Sequence, residues 1–413
     1  MKNDIIRRVV VTGMGAVTPV GNDVETLWSS LVRGAHGIAP ITRFNAEGYK
    51  AKLAAEVKGF DPRSCMERSE VLRSDLYAQY AMAAACQAVA QSGVIGTLPP
   101  ERTAVYMGSG IGGIQTFEAE HGKLVANGPR RVSPYFVPMM IGNMASGLVA
   151  IRFDCRGAAM PAVTACASGS NAIGEALRAI RHGYADAAIA GGAEAAICPM
   201  AVAGFSNMQA LSASEDPEAA SLPFDRRRAG FVLGEGAGAL VLEEYEHAKK
   251  RGARILAEVC GYGSTCDAHH ITAPLPDARG GAQAMEQALE EAEYDGAEAV
   301  YVNAHGTGTP LNDSAETLAA AKWLNRNVLG EYVHFRENAA ADERFPACPM
   351  LMFVANGPAS CESMTFKSGF SWVKAHRQTA ERAGGKCYVL PGGHYLHWMF
   401  PDEMARHIRE EFT

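Results

Sequence analysis

Thr164-Ala165-Cys166-Ala167-Ser168-Gly169-Ser170-Asn171 follows a run of small residues and opens a strongly patterned stretch. After it, Ile173, Ala176, Leu177 and Ile180 recur at the i, i+3, i+4, i+7 spacing of one helical face, and Gly183 ends the run. Ala187-Ala188-Ile189-Ala190 then reads as a buried strand stopping at Gly191-Gly192. The stretch is a strand, a tight turn and a helix, with Cys166 at the helix N-terminus. Unpaired amides and the helix dipole at that place favour a thiolate, lowering a cysteine pKa from about 8.5. Ala165, Ala167 and Gly169 leave room for a substrate. A buried structural cysteine, the commoner fate of a free thiol, is the alternative.

The alternation continues outward. Val9-Val10-Val11 ends at Gly13, Ala104-Val105-Tyr106-Met107 at Gly108, and Ala299-Val300-Tyr301-Val302 at Asn303; Ala239-Leu240-Val241-Leu242 follows a glycine-rich stretch. Met285, Ala288, Leu289 and Ala292 repeat the helical spacing. Strands alternating with helices predict an α/β fold with a mostly parallel sheet covered by helices. A faint repeat accompanies them. Val105 to Gly110 resembles Val300 to Gly306, and the first strand with Gly13-x-Gly15 resembles Ile255 to Val259 with Gly261-x-Gly263. A boundary near Lys249-Lys250-Arg251-Gly252 would divide two duplicated halves with a site at their junction; chance likeness of short glycine-ended strands is the alternative.

Composition narrows the classes. With 413 residues, 48% of them hydrophobic and 20% charged, the chain can bury two or three domain-sized cores and is not intrinsically disordered. The 43 glycines follow no strict period, which excludes a collagen-like chain. A net charge of −7 argues against a general nucleic-acid binder. No apolar run reaches the roughly 18 residues of a membrane span, and Met1-Lys2-Asn3-Asp4 leads straight into a strand-like run, so neither a span nor a signal peptide is expected. Ten cysteines without CxxC pairs fit a reducing cytoplasm.

A second motif is Asn303-Ala304-His305-Gly306-Thr307-Gly308-Thr309-Pro310-Leu311-Asn312-Asp313. It places a histidine at a strand end on a Gly/Thr loop, where a neutral imidazole can donate Nε2–H to an oxyanion or enolate. A loop histidine satisfied by local backbone is the alternative, and the pairing with a cysteine elbow favours function. Gly108-Ser109-Gly110-Ile111-Gly112-Gly113 satisfies GxGxxG after a strand. Ile114-Gln115-Thr116-Phe117 is a poor helix start, however, and no clear acid follows at the ribose-binding distance, so no dinucleotide site is expected. His269-His270 and His394-Tyr395-Leu396-His397 lack supporting ligands, and no metal is expected. Arg226-Arg227-Arg228 reads as a solvated, salt-bridged turn.

From about Arg8 to Asp313 the chain resembles the β-ketoacyl-acyl carrier protein synthases, closest to the type II elongation enzymes. The matching runs are Val10 to Gly15, Gly108 to Gly113, Ser133-Pro134-Tyr135-Phe136-Val137-Pro138, Thr164 to Gly169, Ala190-Gly191-Gly192-Ala193-Glu194, Pro223-Phe224-Asp225 through Gly230 to Gly238, and the His305 loop. The resemblance implies a thiolase-like duplicated fold layered helix–sheet–helix–sheet–helix, normally a homodimer. Its N-terminal half would be 1–252 and the start of its C-terminal half 253–321. It implies decarboxylative condensation of an acyl thioester with malonyl-acyl carrier protein in fatty acid biosynthesis, without a cofactor. Cys166 would carry the acyl chain, its N–H and a distant glycine-loop N–H would form an oxyanion hole, and His305 would assist decarboxylation and stabilise the enolate. Thr307 and Thr309 would contact the pantetheine arm, Ile111 would line the acyl tunnel with Phe205 nearby, and Glu316 would be a buried acid ordering the site loops. Arg63, Arg68 and Arg73 would dock the acidic carrier protein, ordinary helix-surface charge being the alternative.

After about Ala321 the resemblance ends. Relatives carry Ser-x-x-Lys-Ser with a Gly-His and Gly-Ala-Ala-Gly, then a Gly-Phe-Gly-Gly loop; none is present, and neither that lysine nor that second histidine transfers to any residue here. The tail, 322–413, reads as a strand at Cys348 to Val354, a helix at Trp372 to Ala383, a strand at Lys386 to Leu390, Pro391-Gly392-Gly393-His394, and a helix opened by Pro401-Asp402-Glu403. It weakly resembles the end of an α/β-hydrolase, although His394 has no nucleophile elbow to serve. The first expectation is a condensing enzyme weakened by loss of the second histidine. The alternative is a non-condensing, acyl-binding or partner subunit, against which Cys166 speaks. A third is two unrelated pieces joined in one chain.

Overall fold

In the computed structural model, residues 6–294 and 301–320 are described, together with the strands 351–355 and 386–390. The elements in chain order are β1 (Val9–Val17), α1 (Val24–Val32), β2 (Ile38–Pro40), β3 (Leu53–Ala55), α2 (Arg68–Val71), α3 (Leu76–Ser92), β4 (Thr103–Gly108), α4 (Ile114–Asn127), α5 (Phe136–Met140), α6 (Met144–Phe153), β5 (Ala159–Met160), α7 (Ser168–Arg181), β6 (Ala187–Glu194), α8 (Pro199–Asn207), β7 (Leu233–Gly234), β8 (Gly236–Glu244), α9 (Tyr245–Lys250), β9 (Ala257–Glu258) and α10 (Arg279–Glu291). A further helix starts at 310 and is described to 320.

The main sheet has the order β5-β4-β6-β8-β1-β9. Successive side chains of each strand point to opposite faces. Val105, Met107, Ile189 and Val241 face a core with Tyr77, Tyr80 and Met82 of α3. Their neighbours Ala104, Tyr106, Ala188, Ala190 and Leu242 face a second core with Leu177 and Ile180 of α7. Helices therefore cover both faces, and each fully buried Leu or Ile contributes about 1.5–3 kcal/mol. Asp75 caps α3 by accepting from the Tyr77 N–H, and Gly93 ends it at φ 63.

The sheet is mixed, not mostly parallel. β4 runs parallel to β5 and β6, whereas β6/β8, β8/β1 and β1/β9 are antiparallel. Buried apolar runs reveal strands but not their direction. The excursion from β6 to β8 carries α8 and β7, and β8 re-enters the sheet from the end at which β6 left it.

The glycine repeat has one physical cause in both places. A Cβ on Gly13 or Gly15 would lie 2.0 or 1.9 Å from the carbonyl oxygens of Ala88 and Ala84, so α3 rests directly on the β1 backbone. A Cβ on Gly261 or Gly263 would lie 1.8 Å from the carbonyl oxygens of Ala288 and Ala284, so α10 is seated in the same way. Only β9 forms from the expected strand Ile255 to Val259, and Tyr301 and Val302 are not in a strand; Ala299 and Val300 lie outside the described residues.

β2, β3 and β7 form a small separate sheet. The chain divides into two compact units, Met1–Asn327 and Val328–Thr413. In the second, β10 (Leu351–Ala355) pairs in parallel with β11 (Lys386–Leu390), Leu351 opposite Lys386. Cys348 to Met350, the expected helices at Trp372 and Pro401, and His394 lie outside the described residues. No described helix is long and apolar enough to cross a membrane.

Candidate active site

The site is built at the N-terminus of α7. A tight turn, Ala165–Ala167, leads into Ser168, and no side chain caps the helix; the Ala167 and Ser168 N–H groups turn back to the Thr164 and Ala165 carbonyls. The Ser168 hydroxyl fastens the turn, accepting from the Thr164 N–H at 2.9 Å and donating to the Ala165 carbonyl at 2.7 Å. Ala165 is held at φ 52, a left-handed conformation costly for a residue with a Cβ, immediately before the exposed Cys166. The helix start is pressed onto the sheet. A Cβ on Gly108 would lie 2.3 Å from the Ser168 carbonyl oxygen, and one on Gly192 would lie 2.9 Å from the Gly169 Cα. From the far part of the sequence, Tyr262 accepts from Asn171 Nδ2 at 2.6 Å and packs against Gly174.

His305 is the group that acts most strongly on the Cys166 thiol. The imidazole holds the thiol below its ordinary range, against partial desolvation by the surrounding side chains and the nearby Glu194 carboxylate. The same contact raises His305, assisted by Glu316 and Asp313 and opposed by burial. Each shift favours the charged form of its group, the direction in which a nucleophilic thiol is activated.

Carboxylates hold the histidine loop. Glu316 accepts from the His305 N–H at 2.6 Å and the Gly306 N–H at 2.9 Å. Expected to be buried, Glu316 is half-buried. The buried acid of this loop is Asp313, at 1% exposure, because it faces inward beneath the glycines. Asp313 accepts from the Gly308 N–H at 3.1 Å and the Phe224 N–H at 2.7 Å. Phe224 sits at φ 63, and its N–H bond to Asp313 secures that strained conformation. Arg228 donates to the carbonyls of Thr309 and Pro310, while Arg227 pairs with Asp225 at 2.9 Å. The triple-arginine turn is thus solvated at Arg226 and Arg227 and pinned to the loop at Arg228. The Thr307 and Thr309 hydroxyls share a hydrogen bond of 2.9 Å.

A second loop, after β4, lies beside the elbow. Glu194 accepts from the Gly110 N–H at 2.9 Å and the Ile111 N–H at 3.0 Å, and the Ser109 hydroxyl lies 3.3 Å from it. A Cβ on Gly110 would touch both Glu194 and Ala165, so this loop and the turn before Cys166 abut. Burial pushes the Glu194 carboxyl up while these donors pull it down. Ile111 is 39% exposed. Despite its poor sequence signal, α4 begins at Ile114, after Gly113 and without a side-chain cap; its buried Thr116 donates to Asp75 from N–H and hydroxyl at 2.9 and 2.6 Å, and its buried Glu120 accepts from the Ser133 N–H at 2.7 Å. Phe205 of α8 meets Phe231 edge-on at 5.7 Å in the cluster beneath the small sheet.

Arg63 pairs with Asp61 at 3.2 Å, and Arg73 stacks over the Tyr135 ring at 4.9 Å. Arg68 is exposed and forms no ion pair among the described residues; Arg130 and Arg131, shortly before Tyr135, are alike. Sequence reasoning assigned no role to Glu194, Asp313, Arg228, Tyr262 or these two arginines. The first two closed recognised runs, which was the available signal; the others act through contacts distant in sequence.

Residues 6–248 match the Beta-ketoacyl synthase, N-terminal domain, and residues 256–331 the Beta-ketoacyl synthase, C-terminal domain. The chain is 48% identical over 326 residues, 79% of this chain and 78% of the relative, to 3-oxoacyl-[acyl-carrier-protein] synthase 2 of Staphylococcus aureus (strain COL). It is 48% identical over 324 residues to the protein of the same name from Synechocystis sp., covering 78% of each chain. Among solved structures, a beta-ketoacyl synthase from Burkholderia phymatum STM815 superimposes with a TM-score of 0.70 at 36% identity, covering 76% of this chain and 78% of that one. The layered α/β architecture, the glycine-seated helices and these matches place the chain in the β-ketoacyl synthase family.

Proposed function

We propose that this protein is a 3-oxoacyl-acyl carrier protein synthase of fatty acid biosynthesis, joining a Cys166-bound acyl chain to malonyl-acyl carrier protein with release of carbon dioxide. The observation that carries the reading is Cys166 at the start of a helix without a side-chain cap, its thiol lowered by His305 of the distant glycine-threonine loop.

The Cys166 thiolate adds to the acyl thioester carbonyl carbon, and the Cys166 N–H with a distant glycine-loop N–H receives the oxyanion. Collapse breaks the carbon–sulfur bond to the pantetheine sulfur, which leaves with the proton of the His305 imidazolium. Malonyl-acyl carrier protein then loses carbon dioxide. The electron pair of the broken carbon–carbon bond becomes an enolate, whose oxygen accepts from neutral His305 Nε2–H. The enolate carbon attacks the Cys166 thioester, a carbon–carbon bond forms, the carbon–sulfur bond breaks, and the thiolate returns. A solvent proton restores His305. The thioesters carry the activation, so no cofactor takes part.

In this reading Thr307 and Thr309 face the pantetheine arm, Ile111 lines the acyl tunnel with Phe205 nearby, and Glu316 orders the histidine loop. Arg63, Arg68 and Arg73, joined by Arg130 and Arg131, attract an acidic carrier protein. The enzyme acts in the cytoplasm as a homodimer; the short edge strand β5 with exposed Met160 and Val163 supports pairing with a second copy. The sequence lacks the family's second histidine and lysine, and losing one enolate donor slows condensation by about two to three orders of magnitude. Mass spectrometry after incubation with an acyl thioester tests the reading: an adduct that disappears in Cys166→Ala supports it, and an unmodified native chain refutes it.

A further inference from the structure

The turn that carries Cys166 is held from a distant part of the chain. The hydroxyl of Thr164, the residue that enters the turn, donates to Asn171 Oδ1 at 2.5 Å. The amide nitrogen of the same Asn171 donates to the Tyr262 hydroxyl at 2.6 Å. Thr164 and Asn171 flank the turn in sequence, whereas Tyr262 lies 91 residues beyond Asn171. We propose that Asn171 and Tyr262 are positioning residues for Cys166, forming a hydrogen-bonded tie to Thr164 that fixes the nucleophile turn from the second half of the chain. The proposal rests on the reading that Cys166 accepts the acyl chain.

The turn needs such support. Ala165 sits at φ 52, and a residue with a Cβ persists there only where its surroundings over-determine it. Ser168 closes the turn locally, through the Thr164 N–H and the Ala165 carbonyl. The Thr164 side chain is left as the handle for an outside restraint, and Asn171, in the first turn of α7, reaches back to it. Tyr262 is itself firmly placed. It is buried in the core that α7 faces, and its ring lies against the α7 backbone at Gly174, where a Cβ would come within 2.3 Å of the ring carbons. The Arg178 guanidinium stands 4.6 Å over that ring. The Tyr262 N–H donates to Glu291 of α10 at 3.1 Å, and Gly261 and Gly263 on either side seat α10 against the sheet. The seating of α10 therefore sets where the Tyr262 hydroxyl stands, and Asn171 carries that placement to the turn. Both residues act through the turn, not on the reacting atoms.

The test uses the full chain with Tyr262→Phe, which removes one hydroxyl and keeps the ring on Gly174, and Thr164→Val, which removes the hydroxyl at the other end, singly and together. Single-turnover acylation of Cys166 is followed with an octanoyl thioester of N-acetylcysteamine, which needs no carrier protein. Each single variant should lower the maximal rate by about five- to tenfold, the order expected for one hydrogen bond, with the half-saturating concentration unchanged. The double variant should be no slower than the slower single one, because both substitutions cut the same tie. A native maximal rate in either single variant, or losses that multiply in the double, overturns the proposal. If Tyr262→Phe fails to fold, Thr164→Val decides by the same criterion. If the native chain takes no acyl group, the proposed function fails and iodoacetamide reads the turn instead. Cys166 alkylation at neutral pH should then be slower in both single variants, and native rates overturn the tie.

Discussion

The Glu316 carboxylate holds the backbone N–H of His305 at 2.6 Å and that of the next residue at 2.9 Å. The imidazole is therefore positioned through its main chain, from a helix that starts within the same motif. Glu316→Ala releases both donors. Hydrogen bonds to charged groups contribute about 1.5–3 kcal/mol each, so acyl transfer to Cys166 should fall by at least about tenfold. Single-turnover acylation rates check this. Glu316→Gln, which keeps an acceptor, should recover part of the loss.

The pH profile of thiol reactivity follows from the signs of the two shifts. Cys166 is lowered by His305, and His305 is raised by Cys166. Alkylation by iodoacetamide should therefore rise with pH through a midpoint below that of an ordinary thiol, and slow as pH falls and the thiolate is protonated. In His305→Ala the midpoint should move up, and alkylation at neutral pH should slow. An unchanged midpoint would show that the imidazole does not set the thiol's charge.

Glu194 acts in the opposite direction. Its carboxylate opposes ionisation of Cys166 while anchoring the Gly110 and Ile111 amides. In Glu194→Gln the negative charge is gone and one acceptor oxygen remains. The Cys166 alkylation midpoint should then fall further, at a stability cost of about 1 kcal/mol. Glu194→Ala, lacking any acceptor, should destabilise the loop more strongly in thermal unfolding.

Gly15 and Gly263 test whether the two halves share one construction. Each seats a helix with no space for a Cβ, which would meet the Ala84 or Ala284 carbonyl oxygen at 1.9 or 1.8 Å. Gly15→Ala and Gly263→Ala should each destabilise by about 1–3 kcal/mol or more, because rigid backbone cannot retreat. A chain indifferent to Gly263→Ala would show that α10 is not seated as α3 is.

Arg68 and Arg73 test docking. Reversing both to glutamate should weaken acyl carrier protein binding by about tenfold or more at low salt, with the difference shrinking as salt rises. Arg73 also stacks on Tyr135, so Arg68→Glu alone is the cleaner comparison. Surface plasmon resonance at two ionic strengths reads both effects.

Much of this was legible in the sequence because small residues and periodicity report packing directly. The paired glycines at 13/15 and 261/263 were visible because backbone contact leaves no room for a Cβ, and the α7 face from Ile173 to Ile180 because its apolar residues recur at the helical spacing. Strand direction was not legible, since β8 opposes β6 only because of where the excursion between them ends. Nor were the ties of Arg228 to Thr309 or Asn171 to Tyr262, which cross 81 and 91 residues. α4 forms in spite of its weak start because Thr116 and Glu120 are tied to Asp75 and Ser133, contacts its first residues do not announce.

The most direct test of the central claim is intact-protein mass spectrometry of the native chain and of Cys166→Ala after exposure to an acyl-carrier-protein thioester. One acyl group is expected on the native chain, mapped to Cys166 and absent from the variant. An acyl group retained in Cys166→Ala, or none on the native chain, would contradict it.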